Sequence, residues 1–249
     1  MSTATSDVSS EERFADRRRS LRRRRIWRIV LVVLGVIAAG AVVWVVWFSS
    51  ALAVNRIEIS GTTTLKPMDV RSQAAVRLGE PLARVDTVAI ESRVAAMERI
   101  DRVEVTRHWP RTLRIEVVER KPIAWVYSGG DIRALDKYGV DFRSLRKEPK
   151  NLVEVRVETI VARKRQQGLE SAAVVLGLLR SKDPGLLEKV RYVRVSSKDS
   201  VTLVLGKNRT VTWGSAAKSR QKLTVLRSLL HIKARGYDVS APEQPTTRK

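Results

Sequence analysis

Cysteine is absent from the 249 residues, which excludes disulfides, thiolate nucleophiles and cysteine-ligated zinc or iron sites. Histidine is almost absent: His108 and His231 stand far apart, so neither a His-rich metal centre nor a compact serine triad is expected. Aromatic residues amount to 5% and do not interleave with basic ones as they do where bases stack, so nucleic acid is not the expected partner. No glycine-rich phosphate loop occurs; Gly129 and Gly130 read as a turn without the helix and lysine of a nucleotide site. Acidic residues are also scarce, 26 against 48 Lys plus Arg, a net charge of +22 that calls for an acidic partner or surface. These absences argue against most enzymes and against any cofactor.

What is present begins with an uncharged stretch. Residues 29–48 contain no charge, and twenty helical residues span about 30 Å, the thickness of a bilayer's hydrocarbon core. A secretory signal has a shorter apolar region, so the stretch is expected to stay as a single transmembrane helix. Trp27 on one side and Trp44, Trp47 and Phe48 on the other suit the two lipid–water interfaces. Gly35 and Ala39, four apart, would let another helix pack closely. Nine arginines lie in the twenty residues before Ile29, against only Arg56 and Lys66 in the twenty after Phe48. Basic residues beside a span resist translocation, so the tail of residues 1–28 is expected in the cytoplasm and residues 49–249 outside. The tail's arginines are accounted for by topology and by attraction to membrane lipid. The external part keeps +17 of the charge, which suits lipid headgroups or an anionic wall polymer.

Outside the span, residues 54–60 alternate as a strand, with Ile57 and Ile59 on one face and Arg56 and Glu58 on the other. Pro67 opens a helix with Val70, Ala74 and Leu78 on its apolar face, stopped at Gly79. Asp86 caps a second helix that carries Ile90, Val94 and Met97. Two strands, 102–107 and 112–118, follow around a turn holding Trp109 and Pro110. Beyond them, strands are expected at 123–127, 132–135, 151–158, 189–195, 201–205 and 210–213. A helix is expected at 167–180, apolar at Ala172, Val175, Leu176 and Leu179. A last helix, capped by Ser215, carries Leu223, Leu226, Leu229 and Leu230, and residues 237–241 form a final extended segment.

The order strand, helix, helix, strand, strand directly outside a single span resembles a POTRA domain. Val118, Glu119, Arg120, Lys121, Pro122, Ile123, Ala124 and Trp125 at its exit resemble the junction of the bacterial cell-division family FtsQ/DivIB. Leu135, Asp136, Tyr138, Gly139, Val140 and Phe142 are similar to an internal turn motif of that family. Trp213, Gly214 and Ser215 with Leu226 and Leu229 resemble its late strand and helix, and Tyr237 to Pro242 its closing strand. The resemblance implies an α+β chain: tail 1–28, transmembrane helix 29–48, POTRA domain 54–122 (β-α-α-β-β), mixed β domain with flanking helices 123–241, and tail 242–249. It further implies a non-enzymatic divisome scaffold in the cytoplasmic membrane, enriched at the septum. The implied partners are FtsB and FtsL and, through them, the septal wall synthase pair FtsW and FtsI. Partner binding is expected at Tyr237, Asp238, Val239, Ser240 and Ala241, where the family adds a partner strand to a sheet edge. Pro242 and Pro245 cannot donate to a ladder, so the residues after them are expected to be a disordered tail.

Two rival classes fit an external, membrane-anchored chain. A wall transpeptidase or hydrolase is suggested by three Ser-x-x-Lys matches, Ser144 with Lys147, Ser215 with Lys218 and Ser219 with Lys222. About one is expected by chance, and no Ser-Asp-Asn or Lys-Thr-Gly accompanies them. Glu154 and Glu158 could be paired carboxylates, but their alternation with Val153, Val155 and Val157 is that of a half-solvated strand. An outer-membrane assembly module would need a barrel pattern after its POTRA unit, and none follows.

Overall fold

A computed structural model describes residues 8–249, with side chains from residue 27 onward. Residues 1–7 of the expected basic tail lie outside the described residues, and residues 8–28 belong to the first helix. The first helix, α1 (Val8–Phe48), contains the apolar stretch Trp27–Phe48, 22 residues long and unburied. At 1.5 Å per residue it reaches about 33 Å, enough to cross a membrane. At its end Trp44 stacks on Phe48 with ring centroids 4.6 Å apart. The Ser49 hydroxyl accepts the Ala51 N–H and turns the chain out of the helix.

The POTRA pattern is realised as β1 (Arg56–Ser60), α2 (Pro67–Ala74), α3 (Thr87–Ala95), β2 (Ile100–His108) and β3 (Thr112–Glu119). The three-stranded sheet runs β1-β3-β2, with β1 parallel to β3 from Arg56 opposite Thr112 to Ser60 opposite Glu116. Val70, Ala74, Ile90 and Val94 bury the helices, and Leu113 and Ile115 the sheet. Pro67 holds the first helical position and the Asp86 carboxylate accepts the Ala89 N–H at 3.0 Å, as expected. The expected stop at Gly79 is corrected: α2 ends at Ala74, and Leu78 is exposed. The Arg93 guanidinium donates twice to the Ala74 carbonyl, at 3.1 and 2.8 Å, and satisfies the helix end there. Ala75 then takes φ 47°, breaking the helix, while Gly79 donates its N–H to the Val54 carbonyl in a later turn.

The remaining chain forms β4 (Ala124–Ser128), β5 (Asp131–Leu135), β6 (Asp141–Leu145), β7 (Val153–Val157), α4 (Ala162–Lys182), α5 (Pro184–Lys189), β8 (Val190–Ser197), β9 (Ser200–Leu205), β10 (Arg209–Gly214), α6 (Ser219–Leu229), β11 (Gly236–Asp238) and β12 (Thr246–Arg248). Its nine strands make one sheet ordered β12-β11-β10-β9-β8-β7-β4-β5-β6. Adjacent hairpins pair antiparallel, whereas β4 with β7, β7 with β8 and β10 with β11 are parallel. Parallel neighbours need a crossover: β5 and β6 lie between β4 and β7, α4 and α5 between β7 and β8, and α6 between β10 and β11. Leu169, Ala172, Val175, Leu176 and Leu179 of α4 join Leu223 and Leu226 of α6 in one core over the sheet, with Trp213 fully buried among them.

Three elements were not expected. Strand β6 lay inside what reads as a turn motif. The six-residue α5 opens with Pro184 at its first turn and Asp183 as its cap. The third, β12, corrects the expected disordered tail: Thr246, Thr247 and Arg248 lie opposite Asp238, Tyr237 and Gly236. The two prolines only interrupt the ladder. The Gln244 N–H donates to the Ala241 carbonyl at 3.0 Å, and this turn brings the β-branched threonines back beside β11.

By contacts the chain divides into two compact units, Met1–Ser60, Pro67–Arg93 and Glu104–Glu116 in one, Gly61–Lys66, Val94–Val103 and Val117–Lys249 in the other.

A candidate partner-binding edge

The segment expected to bind a partner is built inward rather than outward. Tyr237 is 2% exposed, and its hydroxyl donates to the Ile232 carbonyl at 2.7 Å. Val239 is fully buried and donates its N–H to the Thr212 carbonyl at 3.0 Å. The Asp238 carboxylate accepts the N–H and hydroxyl of Ser240 at 2.9 and 2.6 Å, a side-chain turn that ends β11. Of the residues 237–241, Ser240 and Ala241 alone are exposed. The expected exposed edge at 237–241 is therefore corrected, because β11 lies between β10 and β12. The free edge at this end of the sheet is β12, whose three residues are all exposed; β6 is the edge at the other end. The N–H and C=O groups of β12 on the side away from β11 have no strand partner among the described residues. Sequence reasoning missed β12; the Thr-Thr pair after Pro245 was the available signal.

A lysine buttresses this end of the sheet. Lys222 is 2% exposed and donates to the carbonyls of Trp213 at 3.0 Å and Ser215 at 2.9 Å. Burial pushes its ammonium below the usual lysine range. Ser215 is not the cap that was expected, since α6 starts only at Ser219, after Lys218 in a left-handed conformation. The Ser215 carbonyl serves Lys222 instead, which holds the chain out of the helix. The Lys218 ammonium pairs with Glu243 at 2.6 Å and holds that carboxyl below its usual range.

The serine and lysine pairs do not assemble a nucleophile. The Ser219 hydroxyl donates to the Ala216 carbonyl at 2.7 Å and accepts the Trp213 indole N–H at 3.0 Å. Lys222, one turn on, is spent on the two carbonyls already named. Ser144 lies on β6 beside Arg133. Glu154 pairs with Arg156 at 2.8 Å, and Glu158 with Arg194 at 3.4 Å. His108 and His231 are exposed. Among the described residues no three His, Asp or Glu side chains gather in a way that could hold a metal ion. Trp125 is buried, whereas Trp109, in the turn between β2 and β3, is 50% exposed.

The two motifs that carried the family likeness meet in the second unit. Arg120 pairs with Asp136 at 2.6 Å, and the Asp136 carboxylate is 2% exposed. Asp136 also accepts the N–H groups of Tyr138 at 2.8 Å and Val140 at 2.9 Å. Gly139, at φ 79°, closes that turn against α4, where a Cβ would lie 2.5 Å from the Glu170 nitrogen. Next to Arg120, the Glu119 carboxylate accepts the N–H groups of Thr63, Thr64 and Leu65 at 2.5, 2.8 and 2.9 Å, and the Thr64 hydroxyl. Partial burial alone would raise its pKa, but the bonds from Leu65, the Thr64 hydroxyl, Thr63 and Thr64 prevail and lower it from 4.5 to about 2.

Residues 52–120 match the POTRA domain of FtsQ type. Over the whole chain, the cell division protein FtsQ of Streptomyces venezuelae is 36% identical across 230 residues, covering 88% of this chain and 83% of that protein. The FtsQ of Streptomyces bingchenggensis is 38% identical across 244 residues, with 93% and 89% covered. That of Mycobacteroides abscessus is 32% identical across 221 residues, with 88% and 69% covered. With an apolar span, a POTRA unit, a β sheet with two crossover helices and this breadth of identity, the chain belongs to the FtsQ family of cell division proteins.

Proposed function

We propose that this protein is a non-enzymatic scaffold of the bacterial divisome, held by one membrane span with its amino terminus in the cytoplasm and its folded part outside. The nine-to-two basic asymmetry across the span supports that orientation. It captures FtsB and FtsL at the septum and through them helps recruit and regulate FtsW and FtsI. The observation that carries this reading is β12, a three-residue edge strand with an unpaired outer side at one end of a nine-stranded sheet. A partner segment adds there as a tenth strand, its backbone satisfying the free edge and its alternate side chains setting specificity. Tyr237, Asp238, Val239, Ser240 and Ala241 contribute by holding β12 in place, and Ser240 and Ala241 flank the added strand.

The test is deletion of residues 246–249 in the full chain, followed by capture of FtsB from detergent-solubilised membranes. Capture should be lost while the thermal transition of the folded part persists. Unchanged capture by the deleted chain would show that the partner binds elsewhere. A labelled β-lactam that acylated Ser144, Ser215 or Ser219 would instead establish the transpeptidase reading.

A further inference from the structure

A cavity of about 530 Å³ opens at the same end of the sheet, within the size range of ligand clefts, ~300–1,000 Å³. Its wall carries Lys207, Arg209, Lys233, Arg235 and Lys249, its floor includes Leu230, and no acidic side chain lines it. Eleven ion pairs occur among the described residues, and none involves any of these five cations. Gathering like charges in one concavity opposes folding, and an anion entering it relieves that repulsion.

The cavity is prebuilt. Lys207 and Asn208 both take positive φ, 61° and 55°, in the tight turn between β9 and β10, which fixes where Lys207 projects. The Arg235 backbone is held from both sides: its N–H donates to the Arg248 carbonyl at 2.9 Å and its carbonyl accepts the Thr210 N–H at 2.8 Å. The Tyr237 hydroxyl ties down the loop that carries Lys233 through the Ile232 carbonyl at 2.7 Å. The backbone that carries these side chains is therefore ordered before a ligand enters.

We propose that this cavity binds the phosphate groups of a phosphodiester-bearing polyanion. Three of the five cations are lysines, which bind phosphate as point charges, and two are arginines, whose guanidinium forks match a pair of phosphate oxygens. The volume exceeds one inorganic ion and suits a polymer segment or a lipid headgroup with its glycerol. Lys249 directly follows β12, but the other four cations lie on the β9–β10 turn, the start of β10 and the α6–β11 loop, away from the outer side of β12.

The test is calorimetric titration of the full chain in neutral detergent micelles with a short glycerol-phosphate oligomer, at several salt concentrations. Saturable binding that weakens with salt is expected. Lys233→Glu with Arg235→Glu should weaken it by about tenfold or more and reduce the salt slope by about two. Lys207→Glu with Lys249→Glu should do the same from the opposite wall. Lys147→Glu with Lys150→Glu, an equal change of net charge on an exposed loop, should leave it within about twofold. Vesicles of phosphatidylcholine with and without phosphatidylglycerol identify the source: binding to the anionic vesicles that the same pair abolishes assigns a lipid headgroup, and binding of the oligomer alone assigns a soluble polymer. Equal loss in the loop control, or displacement of the oligomer by a glutamate-rich peptide at lower concentration than by phosphate oligomers, would overturn the proposal. FtsB capture should persist in the Lys233→Glu, Arg235→Glu chain, so the two readings fail separately.

Discussion

Two regions of the second compact unit are rich in basic side chains and treat them in opposite ways. Around the turn that follows β5, Arg120 meets Asp136 at 2.6 Å, Arg133 meets Glu98 at 2.9 Å, Lys137 meets Asp101 at 3.0 Å and Arg165 meets Asp141 at 3.0 Å. Beside β12, five cations share a cavity and meet no carboxylate among the described residues. In the first region charge is used to fix the chain, and one pair is buried enough for its loss to be costly. In the second the same residue types are left unneutralised on a prebuilt surface, as a ligand site requires.

The comparison breaks most visibly at Asp136. Asp136→Ala removes the acceptor of one guanidinium and two backbone N–H groups, and should cost about 3 kcal/mol in urea denaturation of the full chain followed by tryptophan fluorescence. Asp136→Asn, which keeps an amide oxygen for the two N–H groups, should cost less. If both variants melted like the parent, the paired region would have no structural weight.

A smaller effect is expected from Glu119, read through pH. Its folded pKa of about 2 lies below 4.5, so its contribution is complete above pH 4.5 and is lost as pH falls from there towards 2. With solvent screening of a partly exposed group, the loss should be about 1–2 kcal/mol. In Glu119→Gln this acid-side decline should flatten, and a decline of unchanged size would assign it to other carboxylates.

Lys222 gives the opposite sign. Burial depresses its folded pKa below 10.5, so stability should rise as pH climbs from the folded value towards 10.5, where the unfolded chain still binds the proton. Lys222→Met should remove that alkaline rise. An identical rise in the variant would show that the buried ammonium is not its source.

The smallest effect is expected in the unpaired region. Lys233→Glu with Arg235→Glu should leave the melting temperature unchanged or raise it by about 1–2 °C, because it relieves repulsion and breaks no pair. A fall comparable to that of Asp136→Ala would mean that these cations hold the fold together and erase the contrast.

Much of this was legible one segment at a time. The alternation of Ile57 and Ile59, the cap at Asp86 and the helical spacing of Ala172, Val175, Leu176 and Leu179 are local patterns, and each became the expected element. Ser215 misled because a serine before an apolar helical run reads as a cap, whereas its carbonyl was claimed by a lysine seven residues on. Strands β6 and β12 escaped because each is short and lies within or beyond residues that themselves signal turns.

By itself the sequence determined the apolar span, the order of most helices and strands, the excess of positive charge and the family, since each is written in composition or in neighbours a few residues apart. Only the tertiary structure decided which groups answer one another. Glu119 reaches back 56 residues to Thr63, Arg120 finds Asp136 16 residues on, and β12 returns to cover β11 and becomes the edge in its place. The five cations of the cavity come from a hairpin turn, a loop and a strand end that meet only when the sheet is assembled. Such pairings depend on closing long loops and filling a shared core, and no local periodicity encodes them.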